Sequence, residues 1–249
     1  KLEGNYGTVR VGLQTGDDWR FLRNAWEIPA ALICPAPRQS WDQKDIRELC
    51  LSDFENQKQW AFYSKTDSAL PWFSPLTLVV NWGENGDEIK NFTDEKGKLR
   101  SRPQNLEFYF RPGFSYMLRS TRLIPYIVPA GVIPTAGRSQ TYPNKGNEFA
   151  LIGFCASNIA SAIARFKGGK FAWAMFQAGL IQSLPVPLIK GGTQQKILNS
   201  ISQFVNERRR VFQSQEPFQD FLSPSLLLQD QKSQNNWNIY SLLGEELER

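Results

Sequence analysis

Leu76-Thr77-Leu78-Val79-Val80-Asn81-Trp82 is a short aliphatic, β-branched and aromatic run between Pro75 and the turn-forming Gly86-Asp87. It reads as a strand. Working outward, the same character recurs from residue 57 to residue 143, at 106–110, 115–118 and 125–129, with 94–97 a second turn. In the 106–110 strand, alternation puts Leu106, Phe108 and Phe110 on one face and Glu107, Tyr109 and Arg111 on the other. No internal repeat is present. Toward the N-terminus, residues 8–13 read as a strand ending in the turn Gln14-Thr15-Gly16-Asp17-Asp18. A helix is expected next, capped by Thr15 or Asp17, with Phe21, Leu22, Ala25 and Trp26 on one face until Pro29 ends it. Residues 34–43, with Pro35, Pro37 and Ser40, read as a loop.

Toward the C-terminus, residues 149–166 read as a buried helix closed by Lys167-Gly168-Gly169-Lys170, where a glycine takes the left-handed cap. Residues 171–176 return to strand. A long amphipathic helix is expected at 194–213, with Ile197, Ile201, Phe204, Val205 and Phe212 on its apolar stripe. Residues 214–249 are polar, Gln-rich and weakly organised, with Trp237 and the 226–228 leucines as apolar points. The pattern predicts an α/β chain of the α+β kind: mixed, mostly antiparallel and β-rich, with flanking helices and one long C-terminal amphipathic helix. It divides into 1–56 (strand, turn, helix and linker), 57–190 (the β-rich part) and 191–249 (helix and polar tail).

The 249 residues are 41% hydrophobic and 21% charged, enough for a sizeable core and too apolar for a disordered polyelectrolyte. The most apolar stretch, 150–163, is too short to span a bilayer and is interrupted by Ser157, Asn158 and Ser161. The chain opens on Lys1 and reads as a piece of something longer. Cys34, Cys50 and Cys155 are odd in number and far apart in sequence, which suits a reduced, cytoplasmic protein. Histidine is absent, which excludes Ser-His-Asp and Cys-His nucleophile systems and imidazole zinc sites. No GxGxxG, GxSxG or GxxxxGK[ST] motif occurs, and Gly168-Gly169-Lys170 lacks phosphate-loop spacing. Asp42-Gln43-Lys44, Asp94-Glu95-Lys96 and Asp230-Gln231-Lys232 fit the acidic-x-Lys element of magnesium nucleases, but the element is short and recurs by chance in a charged chain.

Charge is unevenly spread along the chain. Residues 1–95 hold 10 Lys+Arg against 15 Asp+Glu, residues 96–170 hold 12 against 2, and residues 171–249 hold 7 against 7. A middle segment at +10 suits a polyanion, or else forms a solvated face. Within it basic and aromatic residues interleave: Arg100 and Arg102 precede Phe108-Tyr109-Phe110-Arg111, and Tyr116, Arg119 and Arg122 follow. Arginine's planar fork matches phosphate and the guanine edge, while the aromatics serve as core or as stacking platforms.

Gly12-Leu13-Gln14-Thr15-Gly16-Asp17-Asp18, with Arg20-Phe21-Leu22-Arg23 and Trp26-Glu27, resembles the specificity part of large N6-adenine DNA methyltransferases, among them the PglX methyltransferases of BREX phage-defence systems. Further motifs follow in that family's order. They are Trp60, Tyr63 and Lys65; Val79-Val80-Asn81-Trp82 with Gly86 and Ile89-Lys90; Phe110-Arg111-Pro112-Gly113-Phe114-Ser115-Tyr116; and Pro129-Ala130-Gly131-Val132-Ile133. Leu180-Ile181-Gln182-Ser183-Leu184-Pro185-Val186-Pro187 before an amphipathic helix is similar to target recognition domains of Type I and Type IIG restriction-modification enzymes. Many relatives have a Gly-Gly pair where this chain has Thr66-Asp67-Ser68.

The resemblance implies a recognition half that binds duplex DNA. The Asn-Pro-Pro-Tyr-type motif and the glycine-rich turn that binds S-adenosylmethionine would lie in a separate catalytic domain of the parent protein, with other defence subunits as further partners. Extruding the target base costs a few kcal/mol, which recognition contacts help to offset. On charge and loop placement, Lys96, Lys98, Arg100 and Arg102 are candidates for phosphate contact. Arg111, Arg119, Arg122, Arg138 and Gln140 are candidates for base or backbone contact, and Lys65 joins them from its motif. The rival readings are a module that docks partner subunits with little DNA affinity and, more weakly, a magnesium nuclease.

Overall fold

The run at 76–82 supplies a strand, and its partners organise half of the molecule. The computed structural model describes residues 1–35, 46–56, 58–65, 71–169, 174–188 and 191–213. Its first elements are β1 (Gly7–Arg10), α1 (Asp18–Phe21), β2 (Leu22–Asn24), β3 (Ile33–Cys34), α2 (Ile46–Asn56), β4 (Trp60–Tyr63), β5 (Trp72–Phe73), β6 (Leu78–Asn81) and α3 (Gly83–Lys90). There follow β7 (Gly113–Tyr116), β8 (Arg119–Ser120), β9 (Pro125–Val128), β10 (Val132–Ile133), β11 (Gln140–Pro143), α4 (Glu148–Ala156), α5 (Asn158–Gly168), β12 (Ala174–Met175), α6 (Ala178–Gln182) and α7 (Gly191–Phe212).

One sheet has the order β10-β4-β6-β2, with β3 also on β4. β4 runs antiparallel to β6. Its other edge takes two parallel partners end to end, β3 beside Trp60 and Ala61, then β10 beside Phe62 and Tyr63. All four β4 residues are buried, as a strand covered on both faces should be. Trp60 and Phe62 share a core with Val79 of β6 and with Tyr126 and Val128 of β9. Ala61 and Tyr63 point the other way, into a core with Phe21 and with Cys50 and Phe54 of α2.

The second sheet has the order β1-β11-β7-β9-β5, and a two-stranded sheet joins β8 to β12. Strands from residues 7–34 therefore enter both large sheets. β1 lies antiparallel to β11, Gly7 opposite Pro143. The chain just before β1 is clasped from the far end: Leu2 N donates to Leu184 O at 2.8 Å, and Gln182 Nε2 donates to Val9 O at 3.0 Å. α4, α6 and α7 complete this core with Leu151, Phe154, Ile181 and Ile201 against Val9, Phe114 and Tyr116. α7 comes so close to α4 that a Cβ on Gly153 would sit 2.8 Å from Ile197 Cγ2. The architecture is the expected mixed, mostly antiparallel α+β fold.

Several expected elements differ in form. The helix after Asp17 is four residues long, capped by Asp17, whose carboxylate accepts from Arg20 N at 3.1 Å. Leu22–Asn24 leaves the helix to pair with β6, Leu22 opposite Val80, and Ala25–Glu27 makes a 3-10 turn. Residues 106–110 are not a strand. Leu106–Phe108 is a 3-10 turn between left-handed Asn105 (φ 55°) and left-handed Phe110 (φ 64°). The alternation argued for that stretch fails with it, because Tyr109 and Phe110 are both buried while Leu106 is exposed. Gly86 lies within α3, after left-handed Glu84 and Asn85. Residues 149–166 form two helices bent by 67° at Ser157, whose extended backbone and hydroxyl cap α5 by accepting from Ala160 N at 3.1 Å. Gly169 ends α5 in the left-handed conformation, as expected.

α2 is an element the sequence reading lacks. In α7, Ile201 is buried and Ile197 and Val205 pack on the core, but Phe204 is half exposed. Most of the 34–43 loop, the Thr66-Asp67-Ser68 departure, Asp42-Gln43-Lys44, Asp230-Gln231-Lys232 and the whole 214–249 tail lie outside the described residues. Among the described residues no single helix is long and apolar enough to cross a membrane.

Candidate nucleic-acid interface

Leaving β1, the chain passes through a corner that only its own residues fit. A Cβ on Gly12 would stand 1.9 Å from Pro134 O, so the backbone lies directly on the 134–136 segment. Leu13 N donates to Pro134 O at 2.7 Å, and the buried Tyr63 hydroxyl donates to Leu13 O at 2.7 Å. Gln14 and Arg102 then exchange both backbone hydrogen bonds, at 3.1 and 2.8 Å. At Gly16 (φ +77°) a Cβ would stand 2.6 Å from the Arg100 carbonyl, and the Arg100 guanidinium reaches back toward Gly16 O at 3.4 Å. The turn Gln14–Asp18 is thus fixed on Arg100–Arg102, more than 80 residues away in sequence.

β4 delivers Lys65 to the same corner. Ser64 is held by Thr135 N, which donates to its hydroxyl at 2.9 Å, and Lys65 beyond it forms an ion pair with Asp18. Partial burial opposes ionisation of Asp18, but hydrogen bonds from Lys65 and Thr15 prevail and hold its carboxyl below the ordinary range. Arg20 pairs with Glu88 at 2.8 Å. The guanidiniums of Arg20 and Arg100 both lie over the Phe92 ring, 5.0 and 5.1 Å from its centre. Arg23 donates to the carbonyls of Trp19 and Leu22 at 2.6 Å each.

Phe92 and Arg100 also root a small hairpin, closed by the Arg100 N to Phe92 O bond at 2.9 Å and the Thr93–Leu99 bridge. At its tip Asp94 Oδ1 accepts from the backbone of Lys96 and Lys98 at 2.9 Å. Asp94 therefore builds a turn. Of the candidates for phosphate contact, Arg100 and Arg102 lie against the turn that the family resemblance singled out, Lys65 pairs with its Asp18, and Lys96 and Lys98 stand at the tip of the hairpin that Arg100 roots.

The remaining candidates make other contacts. Arg111 and Arg10 both lie over Phe108, at 5.3 and 5.5 Å, and Arg10 pairs with Glu3 at 2.7 Å. Arg119 and Arg122 are exposed on and just after β8, in the two-stranded sheet. Arg138 is half-buried, 3.3 Å from the Tyr126 hydroxyl. Gln140 is 1% exposed and its amide donates to Arg111 O at 3.3 Å, so it belongs to the interior rather than to a surface that could meet DNA. Sequence reasoning passed over Trp19, Arg20, Arg23 and Arg10 as contact candidates. Arg20 and Arg23 lie within the resembling motif, which was the available signal, and Trp19 stands between its two parts.

The buried groups do other work. Cys34 and Cys50, far apart in sequence, bring their sulfurs to 3.2 Å, and all three cysteines are free thiols. The adjacent Cys34 thiol, with burial, pushes the Cys50 thiol up, and burial pushes Cys155 up to about 12, which favours the neutral, packing form of Cys50 and Cys155. Among the described residues no group of three or more His, Cys, Asp or Glu side chains could hold a metal ion.

Fold and site together define a mixed α+β chain in which the Gln14–Asp18 turn is fixed on Arg100–Arg102 and paired with Lys65. The chain is 22% identical over 242 residues to the adenine-specific methyltransferase PglX of Lacticaseibacillus casei (strain Zhang), an alignment covering 94% of this chain and 18% of that protein. The chain thus spans about a fifth of the length of that relative. No known family profile matches it.

Proposed function

We propose that this chain is the DNA target-recognition part of an N6-adenine methyltransferase acting in phage defence or restriction-modification. It binds duplex DNA and presents the site to a catalytic domain elsewhere in the parent protein. Methyl transfer and S-adenosylmethionine belong to that domain, since the glycine-rich turn and the Asn-Pro-Pro-Tyr-type motif do not occur in these 249 residues. The observation that carries the reading is the seating of Arg100 and Arg102 against the Gln14–Asp18 turn, with Lys65 paired to Asp18 beside them and Lys96 and Lys98 on the hairpin that Arg100 roots. Cations held on a fixed turn and its neighbouring hairpin suit phosphate contact, and the likeness to a methyltransferase makes DNA the natural polyanion.

Electrophoretic mobility shift at several salt concentrations tests it. Replacing Arg100 and Arg102 together by Gln should weaken binding to all duplexes alike and flatten the log-log salt slope by about two, roughly 0.9 for each phosphate no longer neutralised. Equal, salt-insensitive binding by wild type and variant would refute it. Exposed Ile159, Phe166 and Leu188 favour a second reading, a docking face for other parts of the same complex.

A further inference from the structure

Trp19 is 93% exposed, the most exposed of the large hydrophobic side chains among the described residues. Tryptophan is a costly side chain to leave in water, and among the described residues none covers this one. Its backbone is nevertheless tightly held. Asp17 caps the turn of α1, Thr15 and Lys65 both bind Asp18 on one side, Arg23 donates to the Trp19 carbonyl at 2.6 Å, and the next-but-one residue, Phe21, is fully buried. The result is a bare indole on a fixed post. Its chain neighbours are Asp17, Asp18 and Arg20, and the side chains bound to this turn are Lys65, Arg23 and Arg100. A protein-docking hot spot gathers apolar neighbours around its anchor. Lys65 and Arg20 are already paired with Asp18 and Glu88, but among the described residues Arg23 and Arg100 on the same turn meet only backbone carbonyls or a ring, so the indole can cover a nucleobase while these two arginines meet flanking phosphates.

We propose that Trp19 stacks on a base of the bound duplex, wedging open a base step or filling the space of an extruded nucleotide. The inference rests on the duplex-binding reading above and adds to it a residue that touches a base. Because the post is already rigid, ordering it on binding costs little.

The test compares the full chain with Trp19→Ala and Trp19→Phe, using fluorescence anisotropy on two short labelled duplexes. One is fully paired and the other carries a single abasic position. A wedge gains where unstacking is already done, so the wild type should prefer the abasic duplex by about tenfold. Trp19→Ala should lose that preference and weaken binding to the paired duplex by about tenfold, the worth of one stacked base, while Trp19→Phe keeps the preference. The salt slope should not change, because every phosphate partner is still in place. Identical affinities of wild type and Trp19→Ala for both duplexes would overturn the stacking role and leave the duplex-binding reading intact. So would a changed salt slope in Trp19→Ala, which would show that the indole only positions the cations. Failure of the wild type to bind either duplex would overturn the duplex-binding reading itself, and the stacking role with it.

Discussion

Gly16 and Gly97 have nearly the same backbone conformation, φ +77° and +75°, yet opposite surroundings. A Cβ at Gly97 meets nothing within 4 Å, whereas one at Gly16 meets the carbonyl carbon and oxygen of Arg100 at 2.6 Å. The pair therefore separates backbone strain from close approach. Gly97→Ala carries the left-handed penalty of about 1–2 kcal/mol, partly offset because alanine loses less entropy on folding. Gly16→Ala carries the same penalty and adds an overpacking cost of about 1–3 kcal/mol, since backbone cannot swing aside as a side-chain tip can. The difference between the two variants should appear as about 2–4 °C of melting temperature for each kcal/mol in a chain of this size. Thermal unfolding of both variants beside wild type measures it. Gly16→Ala should also displace Arg100 and so weaken duplex binding, which Gly97→Ala should not. Equal melting temperatures for the two variants would refute the claim that the turn is pressed onto Arg100.

Three further outcomes are expected. Ile201→Asp should cost several kcal/mol or abolish solubility, because it buries an unpaired charge, while Phe204→Asp, at 51% exposure, should change little; chemical denaturation distinguishes them. Asp18 ionises more readily in the folded chain than its ordinary value of 3.8, so its bond to Lys65 supports the corner above that pH and is lost as pH falls through the lowered value. Lys65→Ala should move the Asp18 titration upward by NMR, and an unmoved titration would remove Lys65 as the cause. The isolated chain should bind S-adenosylmethionine negligibly by calorimetry, and micromolar binding would place part of the cofactor site here.

The strand at 78–81, the long C-terminal helix and the capping turn after α5 were legible because each depends on its own residues. What was not legible depended on partners. Phe21, Leu22 and Ala25 satisfy a helical stripe, but Leu22–Asn24 finds an open edge on β6, and a sheet hydrogen-bond ladder outweighs the propensity of so short a segment. At 106–110 the aromatic content reads as strand. The left-handed Phe110 turns its side chain onto the same core as Tyr109, which period-two alternation cannot express. Ser157-Asn158 in an apolar run was a cap in plain view, since serine before a helix start is a strong N-cap. For the site, the +10 segment was visible as composition. The docking of Arg100–Arg102 onto Gln14–Gly16 and the pairing of Lys65 with Asp18 were not, because no local pattern reports a contact made across the chain. Gln140 was misplaced for the same reason: its polarity pointed outward while β11 sits between β1 and β7, which buries it.

The clasp of β1 against β11 and of Leu2 against Leu184 sets a schedule for a growing polypeptide. β1 leaves the ribosome about 130 residues before its partner, which at roughly 5–20 residues per second is a wait of about 7–26 s. During that interval β11, which alone among the described strands pairs with β1, does not exist, and the turn that carries Trp19 has neither Arg100 nor Pro134 to lean on. β1 therefore waits for this partner until residue 140 and beyond have been made. A translation pause or a truncation before residue 140 would strand it with apolar and strand-edge groups free for another molecule to capture.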